Sequence, residues 1–153
     1  MLKMEYSEGV ENGIVVPMKY AMLPCTWFPS VCHKQDVGEI TLKRFCYWRN
    51  TARNRLIADF INRFHKIAPD AQILCIVATI EHALSLLTLL PWMKLVYAEG
   101  QDFKGMDEKF PKDKYPNLDI EKLKMSPKQL RIARAAFAKG TLKFVIGTFT
   151  LKH

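Results

Sequence analysis

Three short apolar runs constrain this chain more than any other feature: "QILCIVAT" at 72–79, "KLVYAEG" at 94–100 and "LKFVIGT" at 142–148. Each has the length of a strand. The first is apolar at nearly every position, the composition of a strand covered on both faces. Helical patterns separate the runs. "IEHALSLLTLL" follows Thr79, which is placed to cap it, and Pro91 closes it. Before the third run, Ser126 and Gln129 form a capping box with Pro127 at the first helical position, and Gly140 stands where a C-terminal cap belongs. Strand, helix, strand, helix, strand is the grammar of an α/β fold, and right-handed crossovers make its sheet parallel.

Upstream the pattern differs. Residues 14–24, "IVVPMKYAMLP", read as a strand in which Pro17 marks an edge position or a bulge. "CTWFPSVCHKQDVGE" is a loop, and "ITLKRFCYW" at 40–48 alternates well enough to be a second strand, paired with the first in a hairpin. A helix runs from about Asn50 to Ile67, with Leu56, Ile57, Phe60, Ile61, Phe64 and Ile67 on its apolar face and Arg53, Arg55, Arg63 and Lys66 opposite. Residues 101–118 are polar and lysine-rich with two prolines, which implies a long loop of functional or mobile character. Residues 1–12 are expected to be disordered or extended, and 13–153 to form one domain. No internal repeat interrupts it.

Charge narrows the classes of partner. The chain carries 23 Lys plus Arg against 15 Asp plus Glu, a net +8. The excess is concentrated: eight against three in residues 34–66 and twelve against five in 104–153, with slightly acidic stretches elsewhere. Two basic segments around an acidic centre suit a polyanion, although a solvated lysine-rich surface has the same composition. Trp27, Phe28, Tyr47 and Trp48 are interleaved with Lys34, Lys43, Arg44 and Arg49, a pattern compatible with stacking on single strands. The four cysteines are too few for a disulfide framework, and Cys25, Cys32, His33 and Cys46 lack the tight spacing of a zinc knuckle. The expectation is a reduced, cytoplasmic chain. Its N-terminus lacks an apolar signal region, and its longest apolar stretch is too short to cross a bilayer.

In a parallel α/β sheet, ligands bind beyond the carboxyl ends of the strands. Thr79, Glu99 with Gly100, and Thr148 each fall at such an end, so all should surface on one edge. Thr148 and Thr150, with Lys152 beyond, offer hydroxyls and a cation to a phosphate oxygen. Thr79 begins a helix whose N-terminus favours anions, and His82 projects from its first turn; Glu81 competes for the same positive end. The catalytic signatures of common enzymes are missing. There is no phosphate-binding loop, no dinucleotide fingerprint and no nucleophile elbow.

The order of these pieces resembles the second RecA-like domain of superfamily two, DEAD-like helicases of the phage-encoded kind. "ILCIVATIEHALSLLTLLPWMKLVYAEG" is similar to that family's fourth motif region, and "RIARAAFAKGTLKFVIGTFTLKH" to the approach and start of its fifth. The resemblance spans about residues 13–153 and implies a three-layer fold, a mainly parallel sheet with helices on both faces. It also implies a half-motor that grips a single- or double-stranded nucleic acid through Thr79, His82, Gly100, Thr148, Thr150 and Lys152. ATP and Mg²⁺ would be held only through an N-terminal ATP-binding RecA-like domain, and the arginine-finger segment would lie beyond His153. Two other readings compete: a protein-binding adapter using the 13–48 hairpin and the 101–118 loop, and a small-ligand enzyme on a flavodoxin-like sheet. A bacterial host cytoplasm is what the phage resemblance implies, and no membrane partner is expected.

Overall fold

The computed structural model describes Glu11, Met22 and residues 38–148. The chain enters through a short helix, α1 (Glu39–Lys43), which widens without a break into a π-helical turn, Arg44–Trp48. Asn50 then caps α2 (Thr51–Ile67) by accepting a hydrogen bond from Arg53 N at 3.0 Å. The first strand, β1 (Ile73–Val77), leads through Thr79 into α3 (Ile80–Leu87). After β2 (Lys94–Val96) come two single-turn helices, α4 (Met106–Lys109) and α5 (Ile120–Leu123). Helix α6 (Pro127–Ala138) precedes β3 (Phe144–Thr148).

The result is a mixed α/β fold around a small parallel sheet of order β1–β3–β2. Val77 is registered with Thr148, and Val96 with Gly147, so all three carboxyl ends reach the same edge. The last strand is therefore central, and Val145, Ile146, Gly147 and Thr148 are all buried. The core joins Ile73, Val77, Leu95, Val145 and Ile146 of the strands to Ala83, Leu84, Leu86 and Leu87 of α3. Helix α6 is tied to β2 by Arg134, which donates to Tyr97 O at 2.8 Å. Tyr97 Oη also accepts from Met125 N at 2.6 Å, just before the Ser126 capping box. Gly140 adopts φ +77°, the left-handed turn that ends α6.

Four expectations from the sequence need correction. Residues 40–48 are helical, so the second strand of the N-terminal hairpin does not form; the first, at 14–24, lies outside the described residues apart from the exposed Met22. The physical reason is reach. Arg44 and Arg49 both meet Glu81, and in a strand their five-residue separation would hold them roughly 16 Å apart. The π-helical turn instead closes Arg49 N onto Arg44 O at 2.7 Å.

Second, α2 buries Asn54, Ala58 and Ile61, whereas Phe60, Phe64 and Ile67 are exposed. The apolar set read from the sequence spans two neighbouring stripes, and the core takes only one of them. Third, β1 is at the edge of the sheet among the described strands, with Leu74 and Ile76 exposed, so it is covered on one face rather than two. Fourth, residues 101–118 are packed: Phe103, Met106, Phe110 and Leu118 are buried, with Phe103 edge-on to Tyr97. The cysteines also depart from the expected reduced state. Cys46 is buried and disulfide-bonded, while Cys75 is a free thiol. No helix among the described residues is long and apolar enough to cross a membrane.

Candidate functional site

Thr79, Gly100 and Thr148 are brought to one edge of the sheet, as the parallel topology requires. Thr79 lies just past β1, and its hydroxyl accepts from His82 N at 3.2 Å, which caps α3. Gly100, at φ +83°, turns the chain after β2. Thr148 is 1% exposed. Its hydroxyl donates to Gln101 Oε1 at 2.5 Å and accepts from Ala98 N at 3.3 Å. It therefore fixes the turn that follows β2, and presents that turn rather than itself. Thr150 and Lys152 lie outside the described residues.

His82 points inward and is 5% exposed. The Asn54 side-chain amide donates to Trp48 O at 3.0 Å, which turns Asn54 Oδ1 towards His82 Nε2 at 3.2 Å. Burial, and then the nearby Arg53 guanidinium, push the His82 pKa down to about 4. Arg53 Nη1 lies 3.3 Å from the same nitrogen and donates to Tyr47 O at 3.2 Å. This buried polar network fastens the start of α2 to the start of α3.

The sequence reading did not foresee the role of Glu81. Its carboxylate is 4% exposed and forms ion pairs with three cations: Arg49 Nε at 2.7 Å, Arg44 Nε at 2.9 Å and Lys109 Nζ at 3.1 Å. Arg44 and Arg49 flank the π-helical turn and Lys109 ends α4, all at least 28 residues from Glu81 in sequence, so no local motif could have revealed the cluster. Three cations on one carboxylate leave positive charge beside the N-terminus of α3. A cleft of about 290 Å³ opens there, lined by Arg44, Thr79, Gln101, Asp102 and Lys109 among others. A larger cavity of about 470 Å³ lies against Arg49, Asn54, Phe110 and Tyr115. Its one cation is already met by Glu81 and by the Phe110 ring, 5.3 Å from the guanidinium carbon.

Among the described residues, no group of three or more His, Cys, Asp or Glu side chains is arranged to hold a metal ion. No family model, curated protein or solved structure matches the chain.

Proposed function

We propose that this domain is the nucleic-acid-binding half of an ATP-dependent helicase or translocase, a RecA-like domain that works with a separate ATP-binding domain. The observation that carries the reading is the cationic carboxyl edge, where three parallel strand ends meet Arg44, Arg49 and Lys109 around one carboxylate. Topology adds support. The chain moves from β1 across β3 to β2, then reverses to β3, so right-handed crossovers put α3 and α6 on opposite faces. Helices on both faces of a parallel sheet support the three-layer RecA-like reading.

The roles differ from those suggested by motif position. Thr148 and His82 stand behind the surface, as supports for the 98–101 turn and for the start of α3. Lys109, Arg44 and the Thr79 turn face the cleft and are the groups that would meet backbone phosphates. In this reading ATP and Mg²⁺ are held by the partner domain, and this chain contributes grip rather than chemistry. Lys109→Met tests it, because Arg44 and Arg49 still neutralise Glu81 and the fold survives. Binding of a labelled single-stranded oligonucleotide should weaken several-fold, with the salt slope reduced by roughly one. Unchanged affinity and slope would remove this edge from the binding track.

The adapter reading gains one observation of its own. Phe60, Phe64 and Ile67 form an exposed stripe at helical spacing along α2, a surface suited to another protein or to the partner domain. It loses the 101–118 segment, whose apolar side chains are engaged within the fold.

A further inference from the structure

A second cleft, of about 400 Å³, lies between the π-helical turn and the carboxyl end of β1. We infer that it receives an unpaired base of a single-stranded nucleic acid, with Tyr47 as the stacking platform and Lys43 and Arg53 beside the flanking phosphates. The inference rests on the nucleic-acid reading above and names a contact that reading does not contain.

Three features separate this cleft from the others. It is lined by Lys43, Tyr47, Trp48, Arg53, Ile76 and His82, among others, and no carboxylate is among the described residues that line it. The Thr79 cleft contains Glu81 and Asp102, and the cation of the 470 Å³ cavity is already paired. Second, its cations have room for an anion. Arg53 donates to Tyr47 O, lies 3.3 Å from His82 Nε2 and has no carboxylate partner among the described residues. Among the described residues Lys43 pairs only with Glu39, and both side chains are at least half exposed, an ion pair that yields readily to phosphate. Third, apolar surface is presented where a base would lie: Tyr47 is 50% exposed and Ile76 65%. Arg53 sits 5.8 Å from the Tyr47 ring centre and braces it.

Aromatic faces with cations and no acids suit a polyanion carrying planar bases, and a free stacking face selects a base that is not paired. A protein partner would leave Lys43 and Arg53 without acceptors unless it were acidic. The π-helical turn is what brings Tyr47 and Trp48 together over the end of β1.

The test uses an oligonucleotide with a central 2-aminopurine, titrated into the wild-type chain, Tyr47→Leu and Tyr47→Phe. On binding the wild type, 2-aminopurine fluorescence should fall as the base stacks. Tyr47→Leu should weaken binding about 5- to 100-fold with the salt slope unchanged, and Tyr47→Phe should restore it. Wild-type affinity in Tyr47→Leu, or wild-type binding without any change in fluorescence, would overturn the stacking site and leave the cationic edge standing. If Tyr47→Leu fails to fold, the wild-type and Tyr47→Phe fluorescence decides. Absence of any wild-type binding at low salt would overturn both readings together.

Discussion

His82 shows how far a single side chain can depart from its sequence context. On the first turn of a helix it reads as exposed, yet Asn54 and Arg53 of α2 close over it. Nothing local to residue 82 encodes that contact, because its partners lie 28 and 29 residues away. The burial has a consequence in acid. The folded pKa of about 4 lies below the ordinary 6.5, so the unfolded chain binds a proton more readily in that window. Stability contributed by the neutral imidazole is complete above about pH 6.5 and is lost as pH falls towards 4. The full difference is on the order of 3 kcal/mol. Urea midpoints measured from pH 7 to pH 4 should drop for the wild type and drop less for His82→Gln. Parallel profiles would show that the imidazole is not buried in its neutral form.

At the scale of elements, caps were the most legible part of the sequence. Thr79, Ser126 with Gln129, and Gly140 each occupy the position their chemistry favours, because a cap depends only on residues within one turn of it. Ser126→Ala removes the hydroxyl that accepts from Gln129 N, one half of the box, and should destabilise the domain by about 1 kcal/mol, read as a lower thermal midpoint. An unchanged midpoint would mean that packing alone sets the start of α6. The three strands were equally legible, since continuous apolar runs bounded by turns have few alternatives. Residues 40–48 were not. Their alternation is real, but Arg44 and Arg49 are drawn to a carboxylate more than thirty residues further on, and that long-range attraction outweighs a weak local period. The apolar stripe of α2 failed for a related reason. Periodicity identifies a helix face, and only the neighbouring elements decide which part of that face is covered.

For the whole molecule, the parallel α/β character followed from the order of elements, whereas the strand order did not. Placing β3 between β1 and β2 makes the end of the described chain its centre, and it makes β1 an edge among the described strands, with exposed Leu74 and Ile76. Because Thr148 is central, its hydroxyl is occupied inside the fold, and the surface role falls to the loops around it. The uneven charge in the sequence did anticipate a cationic surface. What it could not supply was the geometry, in which Arg44 and Arg49 at the two ends of the π-helical turn and Lys109 of α4 converge on Glu81 beside Thr79. The central claim is that this surface grips a phosphate backbone, and a salt series tests it most directly. Fluorescence anisotropy of a labelled single strand, from about 50 to 200 mM salt, should give a log–log slope of about −2 to −4, as three to five neutralised phosphates require. No binding at 50 mM salt, or binding indifferent to salt, would contradict the claim and leave the exposed stripe of α2 as the surface that matters.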